Sequence, residues 1–292
     1  MLTHKDFSEL AITDPSTGRD GRLFALVDHA AIPGLANKLT RVKVPWISLF
    51  EGSRDEGALS VAPLLFPIGV NQKSPQQTEL FNWIGQRGTY SSSLLFLMSP
   101  LSMVELSCGL ARRLDAALPD EMDVFLRYFD TRVFESLLSV LSELQLRHFL
   151  SIGSSWWFCD RFGKLRHVSG SYTAHDSFVQ PMVISSLQEA ELLDASEADQ
   201  VAELLLENVP REFSALTPGE NFEFIIRHMT AAKLFGVQTT HEHAIYCTLA
   251  LLNGENFIIE DKWTRALQDF KNKRHSLIQA IKAAEINEWE NE

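Results

Sequence analysis

Asp123 to Val133 reads DVFLRYFDTRV, and the fold of the first half of the chain turns on how this stretch is read. Val124, Phe125, Leu126, Tyr128 and Phe129 make an apolar, β-favouring run that carries one arginine, Arg127. The run stops at Asp130, and Arg132 follows as a helical pattern begins. The expectation is a strand that runs into a turn and then a helix, with Arg127, Asp130 and Arg132 gathered at the junction. Charges withdrawn from water persist only when paired, because desolvating a lone ion costs several kcal/mol. The three are therefore read as a structural charge cluster that braces a central strand to its following helix. A phosphate site is the weaker reading: two arginines offset by one aspartate, with no glycine-rich loop, make a poor anion cradle.

Working outward, apolar runs alternate with helical patterns. Leu23 to Val27 (LFALV) is a buried strand ending at Asp28, and Pro33-Gly34 opens a short helix with Leu35, Ala36 and Leu39 on one face. Trp46 to Phe50 (WISLF) is a second strand. Ala62 to Ile68 (APLLFPI) is extended, but its two prolines confine it to an edge or an irregular strand. Pro75 to Arg87 reads as a helix stopped by Gly88, Tyr90 to Met98 as a strand, and Pro100 to about Leu118 as a helix. Beyond the opening stretch, a helix runs from Arg132 to about Leu146. Ser155 to Cys159 and Lys164 to Val168 then flank a hairpin turn at Arg161-Phe162-Gly163. Residues 1–170 are thus an α/β (α+β) lobe with a mixed sheet flanked by helices. Residues 171–185, small and polar with no period, read as a linker. Residues 186–292 read as an all-helical lobe broken at Pro210, with amphipathic patterns over Leu187 to Glu207, Phe222 to Phe235, Glu242 to Leu252 and Asn256 to Ala284.

Charge separates the two halves. Residues 1–170 carry 17 basic and 18 acidic side chains, whereas residues 171–292 carry 9 and 20. A chain with net charge −12 lacks the basic surface that a general nucleic-acid binder needs to displace counterions. An acidic second half suits a basic protein partner or solubility. Cys108, Cys159 and Cys247 are odd in number and widely spaced, as expected of reduced thiols. MLTHKDFSEL at the N-terminus has no apolar signal core, and no apolar run is long enough to span a bilayer, so the expected location is cytoplasmic, without membrane contact.

No motif for chemistry assembles. The sequence has no GxGxxG after a strand, no Walker-type loop, no GxSxG elbow and no HExxH, so no cofactor is expected. His241-Glu242-His243, with His228 upstream, is the nearest approach to a metal set. On a helix the two flanking histidines would point about 200° apart, and the preceding Thr239-Thr240 make this a helix start with Glu242 in the first turn. Asp28 at a strand end could be a catalytic carboxylate, or a cap or a partner for one of the sheet arginines. Cys159 could be a nucleophile but reads better as a core thiol. Trp156 and Trp157 face opposite sides of one strand, so one belongs to the core and the other to a covering lobe or partner. Trp46 and Trp83 read as core anchors.

The ordered segments LFALVDHA (Leu23 to Ala30), WISLFEG (Trp46 to Gly52), VAPLLFPI (Val61 to Ile68), FLRYFDTRVF (Phe125 to Phe134) and SSWWFCDRFGKL (Ser154 to Leu165) resemble the adaptor-chaperones of type VI secretion. The resemblance covers about Leu23 to Val168 and departs at Thr131, where that family often has proline. It implies a protein that is not an enzyme, that binds a secreted effector, and that helps load it onto a VgrG-type spike protein. Candidate partner-binding residues are Trp156 and Trp157 in the first lobe and the amphipathic face of Phe222, Phe224, Ile225 and Met229 in the second. The alternatives are an immunity-type or other protein-binding module, or an enzyme with a site around Asp28, Arg127 and Asp130.

Overall fold

The structure, a computed structural model, describes residues 1–10, 21–53, 55–69 and 74–289. It divides into two units, Met1–Asp194 and Ala195–Glu292. In chain order the first unit contains α1 (His4–Leu10), β1 (Arg22–Asp28), α2 (Leu35–Val42), β2 (Ile47–Ser48), β3 (Pro63–Ile68), α3 (Pro75–Gly88), β4 (Leu94–Ser99), α4 (Met103–Arg112), β5 (Asp115–Ala117), β6 (Asp123–Phe125), α5 (Thr131–Val140), α6 (Glu143–Phe149), β7 (Ser155–Cys159), β8 (Leu165–Ser169) and β9 (Met182–Val183).

Six strands form one antiparallel sheet in the order β2-β3-β1-β4-β7-β8. Its middle strands read as unbroken apolar runs because both faces are covered. Side chains alternate across the sheet. Phe24, Leu26, Leu65, Leu95, Leu97, Trp156 and Phe158 join one core with Leu106 and Leu110 of α4, Phe134 and Leu137 of α5 and Phe149 of α6. Ala25, Val27, Leu64, Phe66, Phe96, Trp157 and Cys159 join another with Phe7 of α1, Leu35 and Leu39 of α2 and Phe81 and Ile84 of α3. Phe134 stacks on Trp156 at 5.8 Å, and Phe7 meets Phe96 edge-on at 5.4 Å. Burying each such side chain is worth about 1.5–3 kcal/mol. The expected mixed lobe is present, although among the described residues the parallel pairing, β5 with β9, lies in a second, three-stranded sheet ordered β6-β5-β9.

The prolines of β3 follow the edge rule. Leu49 N–H donates to Pro63 O, so Pro63 turns its donor-free nitrogen toward the outer side, where the short β2 lies. The hairpin between β7 and β8 turns at Gly163, whose φ of +70 favours glycine.

Several boundaries differ from the sequence reading. The strand expected over Val124 to Phe129 is only β6, at the edge of the small sheet and not in the centre of the large one. Leu126 N–H still reaches Leu114 O at 2.7 Å, but Tyr128 and Phe129 continue as irregular, buried backbone, with the Tyr128 hydroxyl on Leu110 O at 2.8 Å. An apolar run without alternation does not distinguish a strand from a buried loop. The helix expected to reach Leu118 ends at Arg112, and Leu114 and Ala116 stay buried by passing through β5. The helix expected from Arg132 to Leu146 breaks at Leu141-Ser142, where Ser142 and Gln145 form a capping box for α6.

The segment read as a linker, residues 171–185, is built into the first unit. Phe178, Met182 and Ile184 are buried in its core, and β9 pairs with β5. Its polar average conceals three apolar anchors. The division between units falls later, inside α7 (Ser186–Asn208).

The second unit continues through α8 (Pro210–Phe213), α9 (Pro218–Leu234), α10 (Thr240–Asn253), α11 (Asp261–Lys271) and α12 (Leu277–Trp289). Val201, Leu205, Phe224, Ile225, Tyr246, Trp263 and Leu267 are among its buried core. Thr217 with Glu220 and Thr239 with Glu242 close capping boxes on α9 and α10. Among the described residues, no helix is long and apolar enough to cross a membrane.

Candidate functional site

The junction charges divide into two pairs instead of one cluster. Arg127 Nη2 donates to Asp28 Oδ2 at 3.1 Å, across to the end of β1. Asp28 Oδ1 accepts the Ala30 N–H at 2.9 Å, so both of its oxygens are engaged. Asp130 instead caps α5: Oδ1 accepts the Arg132 N–H at 3.0 Å, and the Arg132 guanidinium closes on Oδ1 and Oδ2 at 3.0 and 2.7 Å. Asp130 therefore does not hold Arg127, whose side chain is 54% exposed and lies over the Phe129 ring at 5.6 Å. The reason is geometric: the chain between them is a tight turn, with Asp130 N–H on Arg127 O, which sends the two side chains apart. An arrangement of Asp28, Arg127 and Asp130 converging on a substrate is not what these contacts build. Next to them His29 is held below its usual pKa by burial, against the opposing charge of Asp28.

Thr131, the departure from the resembled pattern, does work a proline could not. Its N–H donates to Ser92 O at 2.8 Å and its hydroxyl to Cys159 O at 2.7 Å, tying α5 to the ends of β4 and β7.

The charge network that does lie out of water was not found from the sequence. Arg113, fully buried, donates through Nε to Phe149 O at 2.7 Å and through Nη1 to Gly109 O at 2.6 Å and Asp176 Oδ2 at 3.0 Å. Nη2 reaches His148 O, Ser151 Oγ and Asp176 Oδ1, the last at 2.7 Å. Arg112 adds Asp176 Oδ2 at 3.2 Å and Phe178 O at 2.6 Å. Burial alone would raise the Asp176 carboxyl, but hydrogen bonds and charge from Arg113, with the Phe178 N–H and Ser151 hydroxyl, hold it below the usual aspartate value. The available signal was the Arg112-Arg113 pair ending an apolar helix. Nothing in the sequence pointed to Asp176, 63 residues away.

The aromatic and aliphatic residues offered as partner contacts are core. Trp156, Trp157, Phe224, Ile225 and Met229 are all buried, and Phe222 is half-buried against the second core. Trp156 and Trp157 do face opposite sides of β7, but helices cover both sides. On α9 the expected face exists and is occupied by its own unit. Cys159 is likewise enclosed; burial and the Asp160 charge push its thiol up to about 12, so it stays protonated at neutral pH. Trp46 and Trp83 are half-buried, and Trp83 carries Lys38 and Arg87 over its ring.

At the start of α10, Thr239 accepts the Glu242 N–H, and His243 turns inward to Glu197 Oε1 at 2.8 Å. His228 packs against Phe224 with the rings tilted and their centroids 4.3 Å apart, and burial lowers its pKa. Among the described residues, no three His, Cys, Asp or Glu side chains are placed to hold a metal.

What the first unit does present is an apolar cleft of about 170 Å³, lined by Gln145, His148, Phe178, Val179, Pro181, Met182 and Val183. Gln145 organises it: Nε2 donates to Val183 O at 2.9 Å, and Oε1 accepts from Gln188, whose Nε2 also reaches Val140 O. Of the lining residues, Val179 and Val183 are 72 and 66% exposed. A second cavity, about 320 Å³, is lined by Ser53, Asp55, Arg112, Asp115 and Gln180 among others and carries charges of both signs.

Fold and site together define an α/β scaffold with a helical extension and an apolar surface cleft. A family model described as a domain of unknown function, DUF4123, matches residues 23–148, from β1 to the last turn of α6. No curated protein and no solved structure matches the chain.

Proposed function

We propose that this chain is a non-enzymatic adaptor that binds a type VI secretion effector and promotes its loading onto a VgrG-type spike. The observation that carries the reading is the cleft lined by Phe178, Val179, Pro181, Met182 and Val183, in which Val179 and Val183 stay exposed. Burying such side chains against a partner is the favourable step of protein association, and a cleft with so few polar groups offers little to position a reacting substrate. The internal use of Asp28, Asp130 and Asp176 as partners of arginines agrees with a scaffold role. The resemblance of the Leu23 to Val168 segments to adaptor-chaperones supplies the class of partner, and the family match over residues 23–148 falls on the same stretch.

The test is co-expression of the full chain with the effector encoded beside it and with the spike. The expected result is a stable complex and delivery that depends on the adaptor. Protection of a target cell without any effect on delivery would support the immunity-type alternative, and turnover of a substrate by the isolated protein would replace the reading with an enzyme.

A further inference from the structure

The six-stranded sheet ends at β8, and the hydrogen-bond phase of the hairpin fixes what that edge offers. Asp160 N–H donates to Lys164 O and Gly170 N–H to Ser154 O, both at 2.9 Å. In an antiparallel ladder bonded pairs recur every second residue, so Phe158 with Arg166 and Trp156 with Val168 exchange the remaining bonds. The N–H and C=O groups of Leu165, His167 and Ser169 therefore point away from β7. No strand pairs with that side among the described residues. The same edge is basic on an acidic chain: Lys164 and Arg166 are exposed, and neither has an ion-pair partner among the described residues. Arg161, the remaining base of the hairpin, is taken by Glu135 at 2.7 Å.

We propose that the open edge of β8 takes up an extended, acidic segment of a partner as a seventh strand of the sheet. Backbone groups of Leu165, His167 and Ser169 would supply the affinity common to strand addition. Lys164 and Arg166 lie two residues apart on one face, with the half-buried Val168 next in line. The segment that fits has the pattern apolar–x–acidic–x–acidic, read along whichever strand direction it adopts. The proposal rests on the adaptor reading only for what the segment belongs to.

Charged residues on an edge can instead serve to prevent pairing between copies, and the two roles part under test. The probe is a fluorescein-labelled peptide Ser-Val-Thr-Glu-Thr-Glu-Ser, with a control in which lysine replaces both glutamates. Anisotropy against the full chain should show binding of the first and not the second, weakening with salt. His167→Pro removes an outward N–H and no bond within the sheet, so the fold should persist by circular dichroism. It should weaken binding about tenfold or more, as should Arg166→Glu, while His167→Ala, which keeps the N–H, should bind like the wild type. Equal binding by His167→Pro and wild type, or no binding of the acidic peptide, overturns the proposal. If the effector is captured but the acidic peptide is not, strand addition fails and the adaptor reading stands. If the peptide binds in the edge-dependent way while no effector is captured, strand addition stands and the adaptor reading fails.

Discussion

Arg113 lies out of water with each of its nitrogens engaged, and Asp176 supplies two of those contacts. Removing one partner of a buried pair leaves the other charge unpaired, so Asp176→Ala should lower the stability of the first unit by about 3–5 kcal/mol in urea unfolding. Asp130→Ala should cost less, about 1–2 kcal/mol, because Asp130 is chiefly a helix cap whose arginine is 36% exposed. The pH dependence has a fixed sign. The unfolded Asp176 carboxyl titrates near 3.8 and the folded one below that. The pair's contribution is therefore full above pH 3.8 and is lost as pH falls through the folded value. Urea midpoints measured through the acid range should fall below about pH 4, and Asp176→Asn should flatten that fall. Thr131→Val, which keeps the helix-start N–H but removes the hydroxyl from Cys159 O, should cost about 1–3 kcal/mol. At this scale the sequence was only partly legible. Asp28 as the partner of an arginine follows from a carboxylate ending a buried strand, although Arg127 lies beyond β6 and not in a sheet. The separation of Arg127 from Asp130 depends on a turn whose backbone bonds leave no mark in residue type.

Among the elements, β1, β4 and β7 were readable because burial on both faces demands unbroken apolar runs of a strand's length. β5 and β9 were not, being three and two residues long and too short for any period to register. α9 shows the opposite case: its amphipathic face was found and its role misjudged. Phe224, Ile225 and Met229 face their own core, and a sequence cannot say whether an apolar face meets the same chain or another. That face also buries His228. Its pKa is lowered by desolvation first and by the Arg227 charge, against the attraction of Glu255. The folded state therefore disfavours protonation, and as pH falls below the unfolded value of 6.5 the unfolded chain gains protons that the folded one does not. The second unit should lose stability on mild acidification, and His228→Phe should reduce that loss in unfolding curves compared at neutral and mildly acid pH.

The whole molecule carries separate cores in its two units, around the six-stranded sheet and among the helices of the C-terminal region. Separate cores predict two transitions in calorimetry. Asp176→Asn should move one and His228→Phe the other, and a single transition moved by both would show one cooperative unit. Domain content and the charge asymmetry of the halves were legible from periodicity and composition. The boundary was not, because Phe178, Met182 and Ile184 anchor a segment whose average composition is that of a linker. The apolar cleft lies partly in that same segment, lined by Phe178, Val179, Pro181, Met182 and Val183, with no tryptophan or tyrosine to mark it. Whether the cleft holds an effector, as proposed, is decided by co-purifying the full chain with the effector encoded beside it, as wild type, as Val183→Asp in the cleft, and as Val104→Asp at an exposed valine outside the cleft lining. Wild type and Val104→Asp should retain the effector, while Val183→Asp, still folded, should lose it. Retention by all three, or by none, would contradict the proposal.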